Sequence, residues 1–292
     1  MQMLVNMDQV LLPAKKGHYG VGLFNAVNVE MARGILQAAQ EMGSPVIMGT
    51  AEVLFPACPL EEVSYYLLPM AQKASVPVVV HLDHGLNKET CLQALELGFT
   101  SIMYDCSTDS YEENVRKVRE LTRIAHCFGA TVEAELGHVG DNGEAAGDKG
   151  METPEAYYTD PVQAKEFIEK THADALAIAV GTAHGAYKFK PKLDYERIRT
   201  IAGMVDVPLV LHGGSGLSEE DFKKSIACGI SKVNIFTDIN TAAAKAAEQA
   251  LKEGKICMTD IIPYQVEAAA EAAKAKMRIF GSVSRSRVFG IR

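Results

Sequence analysis

Eight short apolar runs punctuate the chain, at 22–28, 45–51, 76–84, 101–107, 130–137, 175–182, 208–216 and 232–238. Most are continuous, as in VPVVVHL, ALAIAV and VPLVLH, and do not alternate apolar with polar positions. Continuous apolar character implies burial on both faces, as in parallel strands covered by helices. The stretches between them have helical spacing. In NVEMARGILQAAQEMG, residues Met31, Ile35, Leu36 and Ala39 fall on one stripe, and Gly43 supplies a C-cap. NKETCLQALELG and SEEDFKKSIACG each open on a polar N-cap and close on glycine just ahead of the next strand. Eight strand–helix units without a linker or a break in composition predict an α/β fold, a single-domain (β/α)8 TIM barrel over 1–292. The competing architecture is an open doubly wound sheet with a second domain, but no glycine-rich dinucleotide turn follows the first strand.

Three segments depart from the repeat. Residues 1–20 predict a helix ahead of the first strand, closing the barrel bottom. Residues 240–281 predict a C-terminal helical extension, longer than one barrel helix needs and able to reach a neighbouring subunit. After strand five comes HVGDNGEAAGDKGMETPEAYYTDP, a polar glycine-rich insert that reads as a mobile lid.

Composition narrows the function. A hydrophobic content of 48% supports a large core, and the net charge of −8 offers no general attraction to nucleic acid or anionic membrane. Neither is expected as a partner, and a phosphorylated substrate would need a locally built site. The N-terminus lacks signal-peptide organisation, and no run approaches the roughly 20 apolar residues that span a bilayer. The six cysteines are scattered, without a CxxC pair, and read as reduced thiols of a cytoplasmic protein.

The chemistry gathers where the strands end. An unpaired buried polar group is costly, yet polar residues accumulate at the C-terminal end of almost every strand, the face that holds the active site in barrel enzymes. They include Asn25, the HLDHG segment with Asp83 and His84, Asp105, Glu133 and Glu135, the GTAHG segment with His184, and His212 in HGGSG. Strand eight adds Asn234, Thr237 and Asp238. His84, His184 and His212 each leave an apolar strand and each precede a glycine. Three neutral imidazoles suit one catalytic zinc ion with an open position for substrate. His18, His126 and His172 lie off this pattern and read as structural or surface residues, and His138 as a lid contact. Gly213, Gly214 and Ser215 can present backbone N–H groups to a phosphate, with the Ser215 and Thr237 hydroxyls beside them. Asp83 suits a general acid/base beside the metal, or alternatively a group that orients a liganding histidine.

Taken together, FNAVN, SPVIMG, HLDHG, the run at 105–115, EAELG, GTAHG, VPLVLHGGSG, KVNIFTD and KMRIFGS closely resemble the class II, metal-dependent ketose-bisphosphate aldolases. The similarity extends from about Gly17 to Gly281. The resemblance implies His84, His184 and His212 as zinc ligands, and Asp105 and Glu135 as acidic residues able to hold the metal in an alternative resting position. It implies Asp83 as the acid/base at the aldehyde carbonyl, which becomes the C4 hydroxyl of the sugar. Gly185, Gly213, Ser215, Asn234 and Thr237 match the dihydroxyacetone phosphate site, the two glycines also lying near a monovalent cation (Na+ or K+). Asn25 matches a substrate contact. The implied reaction is reversible cleavage of a ketose 1-phosphate or 1,6-bisphosphate to dihydroxyacetone phosphate and an aldehyde, through a zinc-stabilised enediolate, in a homodimer or homotetramer.

Several positions depart from the family pattern. The lid acid becomes Glu144, with Asp141 nearby. Thr108-Asp109-Ser110 replaces a His-Pro pair, Glu52 sits where small residues contact the distal phosphate, and Phe236 replaces an acidic residue. Glu52 and Asp109 would repel a second phosphate if they faced the pocket. The distal-phosphate arginine, contributed by a neighbouring subunit, maps to Arg278, or less closely to Arg285. The alternatives are an aldolase for a substrate without a distal phosphate, a metal-dependent sugar-phosphate epimerase, and a non-catalytic subunit supporting a partner enzyme.

Overall fold

The computed structural model describes residues 3–140, 157–184 and 191–286. Eight parallel strands close into a barrel in chain order: β1 (Val21–Asn25), β2 (Val46–Ala51), β3 (Val78–Gly85), β4 (Ser101–Tyr104), β5 (Thr131–Leu136), β6 (Ala175–Ile178), β7 (Leu209–Leu211) and β8 (Ile230–Ile235). The closing seam pairs β1 with β8 and sets Leu23 opposite Asn234. The (β/α)8 expectation therefore stands. Several strands end earlier than expected, most clearly β7, which leaves the ladder after Leu211. Its following His-Gly-Gly residues belong to the loop that builds the site.

The described helices are α1 (Met7–Gly17), α2 (Val29–Met42), α3 (Leu60–Gln72), α4 (Lys88–Leu97), α5 (Tyr111–Cys127), α6 (Pro161–Thr171), α7 (Tyr195–Ala202), α8 (Glu219–Cys228), α9 (Thr237–Lys252) and α10 (Met258–Phe280). Several of them start at a side-chain cap. Asn28 accepts from the Met31 N–H, Asn87 from that of Thr90, and Ser218 forms a capping box with Asp221. Gly43 closes α2 at φ +56°, in the left-handed region a C-cap uses.

Two helices, α1 and α10, lie outside the eightfold repeat. α1 plugs the barrel bottom: Met7, Val10, Leu11 and Ala14 pack against the inward Leu23, Ile47, Val79 and Val210. The sequence predicts that the C-terminal extension can reach a neighbour, but the apolar face of α10 packs on α2 of its own chain. A side chain at Gly34 of α2 would meet the Val266 carbonyl oxygen and, at 2.8 Å, Ala269 Cβ, so glycine permits that close crossing. Arg278 lies exposed on α10. Among the described residues, no helix is long and apolar enough to cross a membrane.

Candidate active site

Strand alternation puts residues two apart on one face. His81 and Asp83 on β3, Glu133 and Glu135 on β5, and Lys232 and Asn234 on β8 form such pairs, and all six are buried. Their contacts show that they meet inside the barrel mouth. His84, next to Asp83, should by alternation face away. It reaches the same centre because the β3–β4 register shifts between Leu82 and Gly85, and because His84 adopts φ +45°.

The three predicted ligands converge. The ring centroids of His84 and His212 lie 4.5 Å apart, those of His84 and His184 4.8 Å, and those of His184 and His212 5.8 Å. One donor atom from each histidine can be chosen so that all lie within 4.8 Å of one another, and the same holds for His84, Asp105 and Glu135. Each anchored ring also offers a defined nitrogen. His84 Nδ1 is 2.7 Å from Asp105 Oδ2, and His212 Nε2 is 2.7 Å from Glu133 Oε1. Their remaining nitrogens, His84 Nε2 and His212 Nδ1, face each other at 2.8 Å. Carboxylates that fix the far nitrogen of an imidazole are a usual support of metal ligands. Asp105 is itself held by the Ser107 N–H at 3.0 Å and the Ser107 hydroxyl at 2.7 Å. His184 is tied to the segment after β5 by its N–H, which donates to the Gly140 carbonyl at 3.0 Å.

The electrostatics suit a cation. Burial, reinforced by Asp105, pushes Glu135 up to about 8, and its buried Oε2 has no hydrogen-bond donor. Burial opposes a charge on His84, but Asp83, Asp105 and Glu135 prevail and raise it to about 9. Burial and the neighbouring His84 hold His212 well below its ordinary value, so it is neutral. A buried Glu135 that holds its proton more tightly than usual beside histidines, with one carboxylate oxygen orphaned, fits a divalent ion with a mixed imidazole and carboxylate donor set.

Asp83 stands at the edge of this group, its Oδ1 3.9 Å from His84 Nε2. Both of its oxygens accept amide hydrogens, from Asn25 at 2.7 Å and from Asn234 at 2.9 Å. Burial opposes its ionisation, yet the neighbouring His84, with Lys232 and the Asn25 amide, keeps its pKa below the ordinary carboxylate value. The two asparagines expected to contact substrate therefore also hold the expected acid/base.

Beside it, Gly213 turns at φ +64° against the Ala183 backbone, which joins the loops carrying His212 and His184. Ser215 Oγ accepts from the Phe236 N–H at 3.3 Å, bringing the 213–215 turn to the start of α9 at Thr237. No side chain caps that helix end, and the Asp238 charge is engaged by Lys276 at 2.6 Å. Helix N-termini of this kind favour anions.

Glu144, Asp141 and Gly185 lie outside the described residues. Glu52 and Asp109 are already engaged: Glu52 accepts from the Leu86 N–H at 2.7 Å and the Asn87 amide at 2.6 Å, and Asp109 pairs with Lys117 at 2.8 Å. Arg278 belongs to the exposed surface of α10, not to this group. His18 and His172 cap α1 and α6, and His126 pairs with Asp174, in keeping with structural roles. His138 Nδ1 lies 3.0 Å from Ser107 Oγ, next to the Asp105 support of His84. The sequence places Glu133 among the polar strand ends without a specific role, and points to neither Lys232 nor the part played by Ser107. The spacing of two between Lys232 and Asn234 is the signal that could have found the lysine.

The chain is similar to known proteins over nearly its whole length. A family model for class II fructose-bisphosphate aldolase matches residues 5–285. The fructose-bisphosphate aldolase of Thermus caldophilus is 38% identical, with 97% of this chain and all of that one covered. The uncharacterized protein YdjI of Escherichia coli K12 is 39% identical over 92% of this chain and 94% of its own. The crystal structure of the E. coli YdjI aldolase superimposes with a TM-score of 0.86 at 36% identity, over 97% of this chain and all of that one. The chain belongs to the class II fructose-bisphosphate aldolase family and is a class II aldolase, a carbon–carbon lyase.

Proposed function

We propose that the chain reversibly cleaves a ketose 1-phosphate or 1,6-bisphosphate into dihydroxyacetone phosphate and an aldehyde, with one zinc ion held by His84, His184 and His212. The observation that carries this reading is the convergence of those three imidazoles with Asp83 at their edge. Asp105 and Glu135 offer the ion an alternative position with His84. When bound, the divalent ion supplies Lewis-acid polarisation of the ketose C2 carbonyl.

Asp83 accepts the C4 hydroxyl proton as the C3–C4 bond breaks, leaving the bond's electron pair in the enediolate of dihydroxyacetone phosphate and an aldehyde at C4. In the condensation direction Asp83 returns that proton. Asn25 and Asn234 keep the carboxylate oriented by donating to its two oxygens. Glu144 is proposed to exchange the proton at C3. The substrate phosphate is assigned to Gly213, Gly214 and Ser215, with Gly185 and the α9 start at Thr237, and a sodium or potassium ion near Gly185 and Gly213.

The engaged state of Glu52 and Asp109 weakens the case against a distal phosphate. Arg278 is exposed on α10, accessible to a second subunit of a homodimer or homotetramer. A cytoplasmic location fits the scattered thiols. The deciding experiment condenses dihydroxyacetone phosphate with a panel of aldehydes, with and without a terminal phosphate. Products only from phosphorylated aldehydes assign a bisphosphate, and products only from the others assign a ketose 1-phosphate. A metal-loaded protein that forms no C–C bond with any of them refutes the reading.

A further inference from the structure

Beneath the three imidazoles lies a lysine that the proposed chemistry does not use. Lys232 has no exposed surface, and its Nζ lies 2.7 Å from Oε2 of the equally buried Glu133, so the pair spans the barrel interior from β8 to β5. The other oxygen, Oε1, is the acceptor 2.7 Å from His212 Nε2. His81 completes the group, its Nδ1 2.8 Å from Ser101 Oγ and its Nε2 4.0 Å from Glu133 Oε2. His81, Asp83 and Glu133, like the three histidines above them, can bring donor atoms within 4.8 Å of one another. That second group differs in one respect. A fixed cation is already inside it.

A buried ion pair stabilises a fold little, compared with apolar residues of similar volume. Packing alone therefore gives a poor reason for Lys232. A carboxylate that orients an imidazole does so best when its own position is fixed by a further partner. The ammonium forms an ion pair with one oxygen of Glu133, without hydrogen-bond alignment, while the other oxygen faces His212.

We propose that Lys232 is a positioning residue for the metal site. It takes the place of a second cation in the His81, Asp83 and Glu133 cluster, and it pins Glu133 so that Oε1 accepts the His212 Nε2–H. His212 Nδ1 is then left with its lone pair facing His84 Nε2, 2.8 Å away. The inference rests on the reading of His84, His184 and His212 as metal ligands.

The test measures Co2+ affinity by chelator competition on the full chain, with the visible spectrum of the bound ion and the unfolding temperature of metal-free protein. Wild-type protein is expected to bind one ion per chain; failure to bind any would sink the metal reading itself. Lys232→Met should remain folded, weaken the affinity by about 10- to 100-fold and alter the cobalt spectrum. Should the lone buried Glu133 prevent folding, the pair Lys232→Met with Glu133→Gln, which buries no unpaired charge, is expected to fold and show the same loss. Wild-type affinity and spectrum in either folded variant overturn the proposal, as does binding of a second ion by the wild-type protein.

Discussion

Substituting Gly213 tests whether the two histidine-bearing loops are held together by close backbone approach. In Gly213→Ala the new Cβ would lie 2.7 Å from the Ala183 carbonyl carbon and 3.0 Å from its nitrogen, and nearer still to its oxygen. All three are backbone atoms and cannot swing aside. The residue also sits at φ +64°, where an L side chain adds about 1–2 kcal/mol. Overpacking against rigid neighbours adds about 1–3 kcal/mol. The expected destabilisation is therefore about 2–5 kcal/mol, lowering Tm by on the order of 5–15 °C. Because Ala183 adjoins His184, the loops must separate, and ligand geometry tolerates only about 0.5 Å. Metal affinity should fall at least about ten-fold. The control is Gly254→Ala, at φ +80° with nothing within 4 Å of the new atom. It keeps the conformational penalty of about 1 kcal/mol and loses the clash. Thermal unfolding of both metal-free variants and chelator competition separate the two effects. If Gly213→Ala loses no more stability than Gly254→Ala and binds metal as tightly as wild type, the close-approach argument is wrong.

Three further outcomes follow from the same geometry. Asp105→Asn weakens the acceptor 2.7 Å from His84 Nδ1, and metal affinity should drop about 10- to 100-fold, read by chelator competition. Asn234→Ala removes one of the two amides on Asp83; it should lower stability by about 1–3 kcal/mol and depress turnover, measured by urea unfolding and steady-state rates. His84 is raised from 6.5 to about 9 among Asp83, Asp105 and Glu135, with His184 and His212 facing it. Its contribution to metal-free stability should therefore be full below pH 6.5 and disappear as the pH rises through about 9. Metal affinity should rise over the same interval as the bound proton ceases to compete, and a pH-independent affinity between 6.5 and 9 would contradict the assignment.

Much of this was legible in the sequence because barrel strands declare themselves twice, by continuous apolar runs and by polar residues where they end. The runs overshot the ladders for the same reason. His212, Gly213 and Gly214 follow an apolar strand but have already left it, since β7 stops at Leu211. The three ligands were visible because histidine followed by glycine is unexpected after VPLVL or ALAIAV. What spacing could not show was how Asp83 and His84, adjacent and therefore on opposite faces, both serve one centre. That depends on a register shift and a positive φ at a non-glycine residue, which no local propensity favours. Lys232 was hidden for another reason: a lysine next to Ser231 on a strand reads as an exposed position until its partner across the barrel is known. Glu144 and Gly185 lie outside the described residues, and their assignment still rests on family resemblance.

The central claim is that the histidine triad and Asp83 together break a carbon–carbon bond. It is tested by release of dihydroxyacetone phosphate from a panel of ketose 1-phosphates and 1,6-bisphosphates, using protein of measured metal content. Wild-type protein with one zinc per chain should cleave at least one member, lose activity to a chelator and regain it with zinc. Asp83→Ala, retaining its zinc, should lose at least about 100-fold in kcat. Undiminished turnover in zinc-loaded Asp83→Ala, or no cleavage of any member by zinc-loaded wild type, would contradict the account.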